Sequence, residues 1–179
     1  MKFEGLAIAG AARVLLEPKT DDRGSFSRVF CAREFAEAGL QLNVVQSNLA
    51  RSRHAGIVRG LHYQLAPAGE AKLVRCLRGA VFDVIVDMRR DSPSYRQVHA
   101  ERLDAVDGVA LYIPAGVAHG YQTLEDEAEF FYMTDQYYQP QLETGLRFDD
   151  PALKINWPLP PREVTSRDGN WPLLGDAQV

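Results

Sequence analysis

Two short segments contain a histidine in a setting that could support proton transfer. Residues 59–64 read RGLHYQ and contain His62, and residues 114–120 read PAGVAHG and contain His119. A histidine with an ordinary pKa of about 6.5 accepts and returns protons near neutral pH, which suits a general base. A histidine in a strand can also be a hydrogen-bonded core residue. Residue type alone leaves both interpretations of His62 open.

Lys72 is the third candidate, because it begins a predicted strand over residues 72–78. Side chains alternate along a strand, so Lys72 shares a face with Val74 and Cys76. A lysine on an apolar face is expected where that face lines a pocket, and its ammonium would then stabilise negative charge developing on a substrate oxygen. The alternative is a lysine whose ammonium stays in solvent at the first position of the strand.

The elements that hold these residues are mostly strands. Apolar runs bounded by turn residues predict further strands over residues 80–89, 109–114, 119–124 and 128–134. One helix is predicted over residues 31–39, with Gly39 at its end. Many short strands without intervening helices favour a sandwich or barrel over an α/β fold. A segment rich in Pro and Trp follows residue 139, and we expect it to wrap the outside of the strands.

The composition is ordinary for a globular domain. The chain has 179 residues, of which 46% are hydrophobic and 25% are charged, enough for one domain with a sizeable core. The net charge of -4 gives no sign of a nucleic-acid or membrane surface, so an anionic ligand must meet a local group of Arg and Lys. Cys31 and Cys76 are too few for a disulfide framework. Without a signal-peptide pattern, we predict a reduced, cytoplasmic protein.

The two histidine segments resemble the two conserved motifs of the cupin superfamily. The second, P-x-G-x-x-H over residues 114–119, is a close match. The first has His62-x-Gln64, whereas a metal cupin usually shows His-x-His. Losing that histidine removes a strong ligand from the set that iron or manganese needs. The resemblance therefore implies an all-β, cupin-type jelly-roll β-barrel with few short helices, and we predict no metal and no other cofactor.

A longer ordered series of residues runs through nearly the whole chain and resembles the dTDP-4-dehydrorhamnose 3,5-epimerase family. The series comprises Asp22-Arg23-Gly24, Phe26, Gln46, Asn48, residues 59–64, Lys72, Asp83, Asp87, residues 114–120, Tyr132, Tyr138, Glu143, and residues 149–151, 155–158 and 166–168. The resemblance implies a single epimerase domain over residues 1–179, with a core barrel at about residues 45–140, an N-terminal arm and a C-terminal wrapping segment. It also implies a homodimer.

The same resemblance implies an isomerase that acts on a nucleotide-diphosphate sugar. The reaction would invert C3, C5 or both carbons of a nucleotide-linked 4-keto-6-deoxyhexose, by removing and returning protons beside the keto group, in deoxysugar biosynthesis of the rhamnose type. His62 would be the base, and Asp168 would fix its tautomer. Lys72 would stabilise the enolate oxygen, and Tyr132 would donate a proton to the opposite face of the ring.

Substrate-binding residues are also implied by the resemblance. They are Arg23, Phe26, Gln46, Asn48, Arg59, His119, Tyr138 and Glu143. The arginines would bind the diphosphate, because guanidinium groups form paired hydrogen bonds with phosphate oxygens. The chain departs from the family pattern at Arg28, where an acidic residue is usual, and at Ala50, where serine is expected. We hypothesise that Arg28 alters the preferred ligand; the alternative is an Arg28 side chain in solvent that changes nothing.

Three other functions remain compatible with the sequence. They are a metal-dependent cupin enzyme, a ketoisomerase or epimerase of the same fold that uses a different keto sugar, and a sugar-binding cupin without catalysis. Gln64 disfavours the metal enzyme, and the presence of His62, Lys72, Tyr132 and Asp168 together disfavours a protein without catalysis. The carbons that exchange hydrogen with solvent would separate an epimerase from a ketoisomerase.

Overall fold

The computed structural model describes residues 1–175, which form thirteen strands and two short helices. The strands are β1 (Lys2–Gly5), β2 (Ala12–Leu15), β3 (Lys19–Asp21), β4 (Gly24–Phe26), β5 (Gln46–Ser52), β6 (Val58–Gln64), β7 (Lys72–Arg78), β8 (Ala80–Asp87), β9 (Val98–Asp104), β10 (Ala110–Ile113), β11 (Val117–Thr123), β12 (Ala128–Thr134) and β13 (Glu143–Gly145). The helices are α1 (Ala32–Glu37) and α2 (Ser166–Gly169). Residues 176–179 of the predicted domain lie outside the described residues. No helix within residues 1–175 is long and apolar enough to cross a membrane.

Two large antiparallel sheets face each other across a hydrophobic core. The six-stranded sheet has the order β1-β2-β10-β7-β12-β5, and the five-stranded sheet has the order β13-β6-β11-β8-β9. Strands β3 and β4 form a separate hairpin. Within the described part of the chain, no strand pairing joins the two large sheets. The prediction of an all-β fold with few short helices is confirmed, and its sheets are packed face to face without closing into one hydrogen-bonded ring.

Turn-forming residues explain why most predicted bounds lie close to the observed ones. Strands β7 and β12 match their predicted ranges at both ends, and α1 lies inside its predicted range. Gly79, with a φ of +69°, makes the tight turn into β8. Strand β8 ends at Asp87, before the predicted end, because the Asp87 carboxylate accepts hydrogen bonds from the backbone of Arg89 and from two serine hydroxyls and so fixes a turn.

The main core lies between the two sheets and takes side chains from both. Its members include Val74, Cys76, Ile85, Leu111, Tyr121 and Phe130. Because side chains alternate along a strand, Lys72 lies on the core side of β7 with Val74 and Cys76, as predicted. Tyr132 lies on the core side of β12 and packs against this cluster. Alternation therefore directs both polar side chains into the space between the sheets.

The outer faces of the two sheets are covered by different segments. Leu146, Leu153 and Leu174 of the C-terminal segment pack on the outer face of the five-stranded sheet. Helix α1 packs on the outer face of the six-stranded sheet, beside β2, β7 and β10. The part of that face near β5 and β12 is left uncovered, where Leu49 and Leu77 are 46% and 48% exposed.

Candidate active site

A cavity of about 460 Å³ opens between the two sheets, beside the first residue of β7 and the last residues of β12. Ten of the twelve residues predicted for catalysis and binding line it, namely Gln46, Asn48, Arg59, His62, Lys72, His119, Tyr132, Tyr138, Glu143 and Asp168. Strands β6 and β11 contribute the two histidines, strands β7 and β12 contribute the lysine and the tyrosine, and α2 contributes the aspartate. The two sheets thus present functional groups from opposite sides of one space.

The His62–Asp168 pair joins β6 to α2 across 106 residues of sequence. His62 Nε2 lies 2.6 Å from Asp168 Oδ1, and Asp168 is 2% exposed. Burial raises the pKa of Asp168, but the hydrogen bond and the charge of His62, with further hydrogen bonds, bring the pKa below its ordinary value. A charged carboxylate at Nε2 favours the tautomer with hydrogen on Nε2, which leaves Nδ1 of His62 to accept a proton.

Thr165 and Trp171 fix the geometry of this pair. The hydroxyl of Thr165 caps α2 by accepting the backbone N–H of Asp168 at 3.2 Å, which sets the position of the aspartate. The Trp171 ring packs edge-on against the His62 ring, with 6.0 Å between ring centroids. The C-terminal segment therefore delivers the carboxylate and also restricts the orientation of the imidazole.

Lys72 and Tyr132 lie on neighbouring strands of the opposite sheet. Lys72 pairs with Thr134 in the β7–β12 ladder, which puts Tyr132 two residues further along the same face. The Lys72 side chain is 10% exposed, so the alternative of a lysine in solvent is wrong. Burial raises the pKa of Tyr132, and the nearby carboxylates of Glu70 and Glu143 raise it further against the opposing charge of Arg59. The phenol therefore keeps its proton at neutral pH and can donate it.

His119 forms a second histidine–aspartate pair beside the first. Its Nε2 lies 2.8 Å from Asp83 Oδ2, and both side chains are buried. The His119 ring stacks on Phe130 at 5.9 Å between ring centroids, and Phe130 stacks on Tyr121 at 4.2 Å. Three stacked rings thus form an apolar floor with one hydrogen-bonding edge, a surface suited to a sugar ring.

A chain of polar contacts borders the cavity next to Asp168. The Tyr138 hydroxyl donates to Glu143 Oε2 at 2.8 Å, and Arg167 Nη1 donates to the same oxygen at 2.7 Å. Arg167 Nε also lies 3.6 Å from Asp168 Oδ1. Arg167 was not among the predicted site residues, although it directly precedes Asp168 in the family-like stretch 166–168. The residue adds a cation at the rim of the cavity.

Gln64 occupies the position of the second histidine in the first cupin motif, and its amide is fully engaged. The Gln64 Nε2 donates to the carbonyl of Ala68 and to Glu70, and Gln64 Oε1 accepts the backbone N–H of Gln139 at 2.6 Å. Within residues 1–175, no group of three or more His, Cys, Asp or Glu side chains is arranged to hold a metal ion. Metal independence stays a prediction for experiment.

Arg23, Phe26 and Arg28 lie away from this cavity. The Arg23 side chain is 89% exposed and pairs with Asp21 in the β3–β4 hairpin, and Phe26 is 71% exposed. Arg28 donates to Glu34 of α1 at 2.8 Å and does not line the cavity. The structure of one chain therefore does not bring the predicted binding residues Arg23 and Phe26 to the site, and Arg28 does not line it either, whereas Ala50 does.

The known proteins that this chain resembles belong to one family. The family model described as dTDP-4-dehydrorhamnose 3,5-epimerase matches residues 5–176. A dTDP-4-dehydrorhamnose 3,5-epimerase from Pseudomonas aeruginosa is 46% identical over 162 residues, which cover 89% of this chain and 87% of that protein. A dTDP-4-dehydrorhamnose 3-epimerase from Streptomyces niveus is 40% identical over 179 residues, covering 99% of this chain and 86% of that protein.

A solved structure extends the likeness to three dimensions. The dTDP-6-deoxy-D-glucose-3,5-epimerase from Legionella pneumophila, in complex with dTDP-4-keto-L-rhamnose, superimposes with a TM-score of 0.90 at 35% identity. The superposition covers 97% of this chain and 93% of that one. With a family model that spans almost the whole chain and relatives well above 30% identity, the chain belongs to the dTDP-4-dehydrorhamnose 3,5-epimerase family of isomerases.

Proposed function

We propose that the chain epimerises a dTDP-linked 4-keto-6-deoxyhexose at one or both of the carbons next to the keto group, C3 and C5. Its family and the ligand of the Legionella structure support this substrate class. Hydrogen on a carbon beside a ketone is weakly acidic, so its removal needs a positioned base and a stabilised enolate oxygen. Inversion of the carbon also needs a proton donor on the opposite face of the ring. The cavity contains a candidate for each role.

The proposal rests chiefly on the His62–Asp168 hydrogen bond of 2.6 Å inside the cavity. With Nε2 directed at Asp168, His62 would accept the sugar proton on Nδ1. The Asp168 anion would stabilise the imidazolium that forms, as a buried carboxylate does in hydrolase triads. The accepted proton could then return to the sugar or exchange with water, so the reaction predicts hydrogen exchange with solvent.

Lys72 and Tyr132 supply the two remaining roles. Both lie on the six-stranded sheet, across the cavity from His62 on the five-stranded sheet. A sugar ring held between the sheets would have His62 on one face and Tyr132 on the other. The ammonium of Lys72 would stabilise the charge on the keto oxygen, and this effect is strong because the side chain is largely out of water.

Arg59, Arg167 and Tyr138 are suited to the nucleotide part of the substrate. The two arginines line the same cavity and provide donors for a diphosphate. Tyr138 is 50% exposed, and its hydroxyl is held by Glu143 at 2.8 Å. An exposed ring with a fixed hydroxyl is a good stacking surface for a base. We propose that the diphosphate lies between the arginines and that the base stacks on Tyr138.

We also propose that the protein is a homodimer in which the β3–β4 hairpin reaches the partner's cavity. All six residues of these two strands are exposed, including Phe26 at 71%. Within residues 1–175, β3 and β4 pair only with each other and join neither large sheet. Transfer of Arg23 and Phe26 to a second copy would bring the two remaining predicted binding residues to a site.

The uncovered outer face of the six-stranded sheet supports the same proposal. A second, almost wholly apolar cavity of about 200 Å³ lies there, lined by Val29, Leu73, Arg75, Leu77, Phe131 and Met133. The Arg75 Nη2 atom is buried without a hydrogen-bond partner in the described part of the chain. Exposed apolar surface beside an unpaired buried donor is typical of a face that a second protein molecule covers.

Proton NMR in deuterated water tests the proposed function directly. Incubation with a dTDP-linked 4-keto-6-deoxyhexose should replace hydrogen by deuterium at C3, C5 or both, and the epimerised sugar should appear. The exchanged positions show which carbons lose their proton, and the configuration of the product shows which of them are inverted. Movement of the carbonyl to a neighbouring carbon would identify a ketoisomerase instead. Absence of both exchange and product would refute the proposal.

A further inference from the structure

We propose that Glu70 is a positioning residue, which holds the Lys72 ammonium where it meets the keto oxygen of the sugar. The inference rests on the proposed function, in which Lys72 stabilises the enolate. Glu70 was not among the residues indicated by the sequence. It lies just before β7, in the loop that follows β6, and it lines the same cavity as Lys72.

The carboxylate of Glu70 is bound at both of its oxygens. Oε1 lies 2.9 Å from Lys72 Nζ, and Oε2 accepts a hydrogen bond of 3.2 Å from Gln64 Nε2. The side chains of Glu70 and Lys72 are only 12% and 10% exposed. A carboxylate that is held on two sides and largely out of water has little freedom, so it defines the position of the ammonium.

The Glu70–Lys72 pair also explains how the Lys72 ammonium can lie beside an apolar core. An ammonium that leaves water needs a compensating negative charge close by. Within residues 1–175, Glu70 is the carboxylate that forms an ion pair with Lys72. A lysine ammonium has three N–H donors, so an ion pair with Glu70 at 2.9 Å leaves donors available for an incoming keto oxygen. Glu70 therefore compensates the charge of the Lys72 ammonium and sets its position.

Gln64 holds the other side of this arrangement. Its Nε2 donates to the carbonyl of Ala68 at 3.1 Å as well as to Glu70, and so fixes the loop 65–71 against the end of β6. Its Oε1 accepts from the backbone of Gln139 at 2.6 Å, which anchors the amide itself. At the position where the cupin motif usually has a metal-binding histidine, this chain thus has a residue that orients the Glu70–Lys72 pair.

Steady-state kinetics on a dTDP-linked 4-keto-6-deoxyhexose test the inference with Glu70→Gln, which keeps the shape and removes the charge. We expect kcat to fall about ten- to a hundredfold, the scale of a displacement of about 1 Å of a catalytic group. We expect KM to change by less than about threefold, because the interaction matters mainly in the transition state. Glu129→Gln is the matched control, since Glu129 pairs with Arg51 outside the cavity, and it should keep wild-type kcat and KM.

A double variant separates positioning from a direct contact with the sugar. If Glu70 acts through Lys72, adding Glu70→Gln to Lys72→Ala should change kcat by less than about twofold, because coupled residues are not additive. A further loss of about tenfold in the double variant would overturn the inference, as would wild-type kcat in Glu70→Gln. Should Glu70→Gln fail to fold, Glu70→Asp, which keeps the charge but withdraws it from Lys72, should lower kcat at nearly unchanged KM, and wild-type kcat in that variant would overturn the inference. A wild-type protein without hydrogen exchange would instead refute the proposed function.

Discussion

His62 on β6 and His119 on β11 are register partners in the five-stranded sheet, and each is hydrogen-bonded to a different buried aspartate. Asp168 reaches His62 from α2 at 2.6 Å, and Asp83 reaches His119 from β8 at 2.8 Å. The His119 side chain is 9% exposed and stacks on Phe130, whereas His62 is 20% exposed. The two histidine–aspartate pairs are chemically similar, but His62 is more accessible to a ligand than His119. Replacing His62 and replacing His119 should therefore affect catalysis differently.

Replacing His62 by asparagine should abolish hydrogen exchange at C3 and C5. Asparagine can still hydrogen-bond Asp168, but it has no group that accepts a proton near neutral pH. The loss of a general base corresponds to about a hundred- to ten-thousandfold in rate. NMR in deuterated water measures the rate of hydrogen exchange at both carbons directly. His54→Asn, at a 49% exposed side chain outside the cavity, is the control. Exchange at the wild-type rate in His62→Asn would mean that another residue is the base.

Replacing Tyr132 by phenylalanine should separate exchange from product formation. Without the phenol, His62 can still remove a proton and return a deuteron on the same face. Product should therefore fall by about a hundredfold or more, while exchange at the starting sugar falls much less. Comparing the two rates in one NMR time course gives the ratio. Tyr137→Phe is a matched control, because Tyr137 is 65% exposed. Equal losses of exchange and product in Tyr132→Phe would contradict the assigned role.

The stability of the fold should depend on the charge of Asp168. Its pKa in the folded protein lies below the ordinary value of 3.8, so the charged form is favoured by folding. The resulting stabilisation is present above the unfolded pKa and is lost as pH falls through the lower folded pKa. The Tm difference between wild type and Asp168→Asn should therefore shrink as the pH falls below about 4. A difference that grew on acidification would show the opposite sign of the pKa shift.

Light scattering at micromolar concentration should give a mass close to twice the 20.0 kDa of one chain. Leu77→Lys, on the uncovered face of the six-stranded sheet, should weaken the dimer at least about tenfold, because it would bury an unpaired positive charge beside Arg75 in the interface. Val106→Lys is the control, since Val106 is 93% exposed and does not line the apolar cavity. A mass of one chain for the wild type, or equal dimers in both variants, would contradict the proposed interface.

Activity should survive removal of metal ions. Gln64 uses its amide on Ala68, Glu70 and Gln139, and the proposed chemistry needs only the side chains already in the cavity. Protein treated with a chelator and dialysed should keep kcat within about twofold of the untreated enzyme. Elemental analysis of the same sample provides the comparison. Stoichiometric iron, manganese or zinc, with activity lost on removal and restored on addition, would establish a metal enzyme.

The strands could be predicted well because the residues that specify each strand and turn lie within a short stretch of sequence. The apolar alternation of β7 and β12 and the turn at Gly79 are contained within a few residues, and the structure has these elements where the sequence indicates them. Alternation also gives the correct face for Lys72 and Tyr132, since the direction of a side chain depends only on its position in the strand. The end of β8 is less well predicted, because the side chain of Asp87 fixes the following turn through contacts with later residues.

The all-β class and the side chains that face the core could be predicted from residue patterns, and the motif resemblance indicated ten of the residues that line the cavity. The family resemblance also paired Asp168 with His62, but the two are 106 residues apart and no local pattern relates them, so their contact depends on tertiary packing. Glu70 and Arg167 acquire their contacts from the path of a loop and the docking of α2, which depend on packing between distant segments. Arg23 and Phe26 do not line the cavity of their own chain, so any contact of theirs with a substrate would depend on the proposed dimer.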